Sequence, residues 1–394
     1  MKSDNGEWIT NPEELAAYFE QTGKKRGQLD ILPKSSDAVP ESRIKKDRQT
    51  MDPDQLRLLD KCLEVLASPD RVLQINYNIA DARVSRSFMA TSKEMPAVWV
   101  TLSGSGESRR VSFRSEPELR HLIIDVLAAD STTRPTRIGC DLSTEGALAF
   151  LAILDQYRRS WFVAMLRHLE PISFFTLQDV KERLADSNAE DFRWSLPFID
   201  KVLPITVTEM SVTKDPRQAL LELIEAGLIE PVDEQANTFE LTEAAQTLAE
   251  GDRQAASRLV LSRTFPVSDD EVAHDVLFFV RTPFELFLLL MSGANASLST
   301  LLPGDLNLLL DQIIITLPEE EISGVEEEKI KEAEEETEQP HWYIFRKGER
   351  YGPYLLEELI KYVQEGRLQP DDLLWNEGLT QWVEAGTLEE LNFD

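Results

Sequence analysis

The chain has 394 residues, room for two to three domains that each bury a core. Its 71 acidic side chains outnumber 41 basic ones, and the formal net charge of −30 sets it against phosphate backbones and anionic lipid surfaces. Two cysteines, Cys62 and Cys140, stand far apart without CxxC spacing, which excludes a disulfide framework and a cysteine zinc site.

The N-terminus carries no apolar stretch of the kind a secretory signal needs. The most apolar run, 275–291, is interrupted by Arg281, Pro283 and Glu285 and falls short of the roughly 20 residues of a membrane span. The expectation is a soluble cytoplasmic protein without a membrane span.

Residues 1–50 read as a largely disordered segment. They hold one helix start, Asn11 as cap with Pro12 and two glutamates in the first turn, and one basic cluster, Lys45-Lys46-Asp47-Arg48. From Asp52-Pro53 a helix is signalled by Leu56, Leu59, Leu63 and Leu66 at helical spacing. Strands are expected over 72–77, 98–102 and 110–113, with a turn at Ser103-Gly-Ser-Gly106, and a helix over 117–129. Residues 51–142 are therefore expected to form an α+β domain with an antiparallel sheet.

Residues 143–317 are expected to form a separate helical domain. It opens at Ser143 with a long apolar helix over 147–169, and the apolar runs 276–290 and 306–317 complete its core. Within it, 216–249 reads as a helix ending at Gly227, two strands around the turn 233–237, and a helix capped by Thr242. This order resembles the second half of a winged-helix domain. A DNA-reading winged helix needs cations on its recognition helix and wing. Here Glu222, Glu225 and Asp233-Glu234 stand there, so nucleic acid is not the expected partner.

Residues 318–340 form an acidic linker dominated by Glu319-Glu-Glu, Glu326-Glu-Glu and Glu334-Glu-Glu, in which like charges extend the chain. The tail, 341–394, packs aromatics and turn residues densely. Trp342-Tyr-Ile-Phe345 reads as a strand, and Arg350-Tyr351 as its return. Gly352-Pro353 is expected to break that strand before a helix from Leu355 to the cap Gly366. Leu373-Leu-Trp375 is a further strand, and Asn376-Glu-Gly378 a turn before Trp382.

The tail resembles the bacterial branch of the GYF domain family. Tyr351, Gly352, Pro353 and Tyr354 match its aromatic-Gly-Pro-aromatic bend, Trp342 its opening tryptophan, and Trp375, Gly378 and Trp382 its W-x2-G-x3-W ending. The resemblance implies a small α+β adaptor module that binds a protein partner, a proline-rich peptide lying across its rings in polyproline II conformation. The peptide-binding residues it implies are Tyr351, Gly352, Pro353, Tyr354, Tyr362, Trp375 and Trp382. Of these the tyrosines are the better contact candidates, whereas Trp342, Trp375 and Trp382 are expected in the core. The chain departs from the eukaryotic pattern. Leu359 replaces methionine, Tyr362 replaces tryptophan, and Gly366-Arg367-Leu368 stands for the Gly-Tyr-Phe of the family name. Arg367 removes one ring from the expected groove.

No catalytic constellation is legible. The histidines, His121, His168, His274 and His341, lack metal-ligand spacing, and Gly104-Ser105-Gly106 is no nucleophile elbow. No Walker loop or dinucleotide fingerprint follows a strand, so neither enzyme activity nor a cofactor is expected. The sequence reading is an α+β multidomain adaptor or scaffold, with a winged-helix transcription regulator and an acidic chaperone for a secretion or assembly system as alternatives.

Overall fold

The computed structural model describes residues 2–4, 7–34, 39–79, 84–93, 95, 97–104, 108–129, 139–171, 174–232, 237–268 and 271–314. In the tail it describes 342–346, 349–354, 356–364, 367–370, 372–376, 383–388 and 391. The chain divides into two compact units, Met1–Thr316 and Leu317–Asp394. The acidic linker expected at 318–340 lies outside the described residues.

The larger unit is organised by one antiparallel sheet, eleven-stranded among the described residues. Its strands are β1 (Lys2–Asp4), β2 (Glu7–Thr10), β3 (Arg71–Ile79), β4 (Ser85–Thr91), β5 (Val98–Ser103), β6 (Arg109–Ser115) and β7 (Gly139–Ser143). A separate short sheet takes β8 (Phe174–Thr176), β9 (Ile229–Pro231) and β10 (Thr238–Leu241). The large sheet is completed by β11 (Ser257–Pro266), β12 (Val272–Arg281), β13 (Leu286–Ser292) and β14 (Asn295–Thr300). Its order is β1-β2-β6-β5-β4-β3-β11-β12-β13-β14-β7.

The helices are α1 (Pro12–Glu20), α2 (Glu41–Thr50), α3 (Pro53–Ala67), α4 (Glu116–Leu127), α5 (Thr144–Arg167) and α6 (Leu177–Ala185). They continue with α7 (Ser195–Asp200), α8 (Ser211–Lys214), α9 (Arg217–Glu225), α10 (Glu243–Arg253) and α11 (Pro303–Ile314). The expected caps are in place. Asn11 accepts the Glu14 N–H at 2.7 Å, Asp52 accepts two first-turn N–H groups and Thr242 accepts Ala245 N–H at 3.3 Å, and Ser143, a cap beyond those expected, accepts Gly146 N–H at 2.9 Å. Gly227 ends α9 at φ +69°, a conformation that favours glycine.

Strand pairing explains how the faces of the sheet are covered. One register row runs Trp8, Val111, Leu102, Phe88 across β2, β6, β5 and β4. Through Gln74 and Ser262 it passes into Val276, Met291, Ala296 and Leu142. Paired residues share a face. The first stretch packs under α1, α2 and α3, where Tyr18, Phe19, Ile44, Leu59 and Leu63 are buried. The last four residues pack with the apolar half of α5 and with Leu220, Leu223 and Leu248 of α9 and α10. The opposite face, with Leu73, Ile75, Met89, Trp99, Leu259 and Phe279, is closed by α4 and α11.

Two expectations about the larger unit are corrected. Residues 1–50 contribute β1, β2, α1 and α2, and Trp8, Leu15 and Tyr18 are fully buried, so this segment is part of the core rather than a disordered arm. Within its basic cluster Arg48 makes two bonds to Asp60 at 2.7 and 2.8 Å, while Lys45 and Lys46 are exposed. The boundary at 142/143 is likewise not a boundary of the fold. β7 and β11–β14 join β2–β6 in one sheet, with β11 paired to β3 over eight residue pairs. The run 276–290 falls on β12 and β13, two interior strands of that sheet. A strand covered on both faces is apolar throughout, and its pattern matches that of a buried helix.

The elements expected over 216–249 are present as α9, β9, β10 and α10, with the turn residues 233–236 outside the described set. The hairpin gains β8 as a third strand. The winged-helix resemblance rests on these elements alone.

The smaller unit holds β15 (Trp342–Arg346), β16 (Glu349–Tyr354), helix α12 (Leu356–Gln364), β17 (Leu373–Trp375) and β18 (Val383–Glu384). Its sheet is ordered β16-β15-β17-β18 and is antiparallel.

Candidate functional site

The expected strand break at Gly352-Pro353 does not occur. β16 runs on to Tyr354, and the register against β15 shifts between Trp342 and Ile344 instead. The proline is tolerated because it lies on an edge strand, within the register shift, where it is paired to no residue of β15. The shift leaves Tyr354 opposite Trp342. Trp342 and Ile344 are buried and, with Leu359, Leu368 and Leu374, form the core of the module. Leu359 is fully buried in that core.

Beside this core the module builds an aromatic and cationic platform. Tyr354 at the end of β16 and Tyr362 on α12 meet edge to face, with ring centroids 5.3 Å apart and planes at 77°. Both are half-buried, resting on the core while keeping part of each ring exposed. Arg367 is exposed and sets its guanidinium 4.3 Å from the centre of the Tyr362 ring. The helix end fixes that arrangement. The N–H groups of Arg367 and Leu368 both donate to the Tyr362 carbonyl, at 2.8 and 3.0 Å. The following loop is held by buried Asp372, whose carboxylate accepts the Gln369 N–H at 2.7 Å.

The structure thus brings Tyr354 and Tyr362 together, two of the seven expected peptide-binding residues. Tyr351, Gly352 and Pro353 follow along the same strand, with Tyr351 opposite Ile344. Trp375 stands apart on β17, which lies on the other side of β15. It is half-buried, and strand alternation places it on the face opposite Leu374, outside the core that holds Trp342. Trp382 and Gly378 lie outside the described residues. Sequence reasoning passed over Arg367 as a loss. Its guanidinium instead supplies a flat surface beside the Tyr362 ring.

The larger unit holds a different concentration of charge. Asp155, Arg158, Asp252 and Arg258 are each at most 3% exposed. Asp155 accepts the N–H groups of Ser195 and Leu196 at 2.8 and 2.9 Å, and Arg258 Nε donates to Asp252 at 3.1 Å. Arg158 donates to the Arg193 carbonyl at 2.7 Å. Burial pushes the Asp155 carboxyl up to about 6, against the opposing pull of Arg158. Closed to solvent, this network ties α5, α7, α10 and β11 together. Among the described residues no three His, Cys, Asp or Glu side chains converge as a metal site, and no helix is long and apolar enough to cross a membrane.

Comparison with known proteins agrees on the tail. Residues 342–391 match the family described as GYF domain 2. No curated protein matches the chain. Among solved structures, the Mycobacterium tuberculosis type VII secretion system chaperone EspG5, in complex with a PE25-PPE41 dimer, is similar at 11% identity. That similarity has a TM-score of 0.42 and covers 79% of this chain and 97% of that one.

Proposed function

We propose that this chain is an adaptor whose C-terminal module holds a partner protein on the Tyr354–Tyr362–Arg367 platform, with a proline-containing segment as its ligand. The observation that carries the reading is the edge-to-face tyrosine pair with a guanidinium laid over one ring. Flat, partly exposed rings suit the ring faces of prolines already held in polyproline II conformation, because such a ligand loses little entropy on docking. Tyrosine and arginine are also the residues in which interface energy concentrates. The match of residues 342–391 to a GYF domain supports the same reading.

The reading assigns no reaction to the chain and no cofactor. The larger unit serves as the scaffold that carries the module, and nucleic acid is not its ligand, since the net charge of −30 opposes phosphate. Hydrogen–deuterium exchange of the full chain, with and without a synthetic proline-rich peptide, tests the proposal. Slower exchange over 351–368 is the expected result. Peptide-dependent protection confined to residues 1–314 would contradict it.

A further inference from the structure

Helix α5 is rich in apolar residues along its whole length, yet only its first half is covered. From Gly146 to Asp155 every residue is buried, packed with α9, α10 and the sheet. Towards the other end that cover stops. Phe162, Val163, Met165, Leu166 and, just past the helix end, Leu169 are between 41% and 76% exposed. Phe162, Met165, Leu166 and Leu169 recur at i, i+3, i+4 and i+7, the spacing of a single helix face.

The exposed face is held in place from behind. Phe162 meets the Trp194 ring edge to face, with centroids 6.2 Å apart, and the Arg253 guanidinium lies 4.0 Å from the Trp161 ring centre. The helix end is closed as well. His168 takes the left-handed conformation at φ +56°, and the Leu169 N–H donates to the Ala164 carbonyl at 2.9 Å. A surface fixed in this way loses little entropy when it docks.

We propose that this stripe is the contact through which two copies of the chain pair, antiparallel and two-fold symmetric. Its pattern is complementary to itself. With the two-fold axis between Met165 and Leu166, Phe162 lies against the partner's Leu169 and Met165 against the partner's Leu166. Each apolar side chain of the stripe then meets another, as a symmetric interface requires. Residues 156–169 contain no Asp or Glu, so the pairing opposes no carboxylates from this segment.

The area is also of the right size. At about 150–200 Å² for a large apolar side chain, the five exposed residues leave roughly 400–500 Å² in water. A standard interface buries about 800 Å² on each partner, and in homodimers about 65% of it is apolar, so roughly 500 Å² is needed. The contact belongs to the larger unit and does not depend on the tail platform.

Sedimentation velocity of the full chain at concentrations up to about 100 µM tests the proposal, since that range detects even a weak contact. The expected result is a reversible monomer–dimer equilibrium. Each chain carries a net charge of −30, and salt screens the repulsion between two of them, so the dimer should tighten as salt is raised. Leu166→Asp should weaken it about tenfold or more by setting two carboxylates beside the axis. Leu166 is the most exposed residue of the stripe, and far-UV circular dichroism of this variant should match the parent. Tyr354→Ala should leave the dimer intact. In a Cys140→Ser background, a short bis-maleimide should join two copies of Leu166→Cys and not of Leu308→Cys, which is equally open on α11.

A parent that stays monomeric throughout, leaving the stripe to some other protein, would overturn the proposal. So would a dimer that Leu166→Asp leaves unchanged, that Tyr354→Ala abolishes or that dissociates as salt is raised, and so would equal cross-linking at the two cysteine positions.

Discussion

Arg367 lays its guanidinium 4.3 Å from the ring centre of Tyr362, and the same residue's N–H closes the helix by donating to the Tyr362 carbonyl at 2.8 Å. One residue therefore both ends α12 and widens the flat surface beside it. A cation over an exposed ring contributes about 0.5–1 kcal/mol. Arg367→Ala takes that support from Tyr362 and one flat surface from the ligand and should weaken binding of a proline-rich peptide, whereas Arg367→Tyr should hold or improve it. Calorimetric titration of the two variants checks the order, and a stronger Arg367→Ala would refute it.

Trp342 and Trp375 should separate on substitution. Trp342 is buried in the module core, and Trp342→Ala is expected to cost about 3–5 kcal/mol and unfold the module. Trp375 lies half-buried outside that core, so Trp375→Ala should leave the module folded. Limited proteolysis reads the difference as cleavage within 342–391 in the first variant and protection in the second.

The buried network of the larger unit carries a prediction about stability. Asp155→Ala leaves the buried N–H groups of Ser195 and Leu196 without their acceptor, which should cost about 2–4 kcal/mol in urea unfolding, while Arg158 keeps Asp252 and the Arg193 carbonyl.

The same carboxyl has a pH signature. Its folded value of about 6 lies above the ordinary 3.8, so the folded state binds the proton more tightly. Its contribution to stability is fully present below the ordinary value and is lost as pH rises through about 6. The stability of the parent relative to Asp155→Asn should therefore be greater at pH near 4 than at neutral pH. Urea unfolding of both proteins at the two pH values gives the comparison, and a constant or reversed difference would exclude this assignment.

Cysteine reactivity should follow burial. Cys62 lies on the buried face of α3, and burial pushes its thiol up to about 12. Cys140, on the edge strand β7, is half-buried, and its thiol is raised by burial and then by Asp141 and Glu222. A thiol-specific alkylating reagent should modify Cys140 first and Cys62 only on unfolding. Peptide mapping distinguishes them.

Local signals were legible in the sequence because their causes are local. Asn11, Asp52 and Thr242 each announce a helix by a side chain that reaches the next turn, and each does so in the structure. Long-range pairing was not legible. Nothing near Gln74 marks Ser262 as its partner, so two halves of one sheet read as two domains. Trp8 and Tyr18 occupy runs too short to show a period, and their burial depends on strands far along the chain. In the tail, Tyr354 and Tyr362 could be singled out, but the role of Arg367 depends on how α12 ends, which composition does not reveal.

The Tyr354–Tyr362–Arg367 platform is proposed as a protein-recognition surface. Fluorescence anisotropy of a labelled proline-rich peptide, titrated with the full chain and with Tyr354→Ala, tests it most directly. Saturable binding to the parent, weakened by about 1–2 kcal/mol in the variant with its circular dichroism unchanged, is the predicted result. Equal affinity of the two proteins, or no saturable binding by the parent, would contradict it.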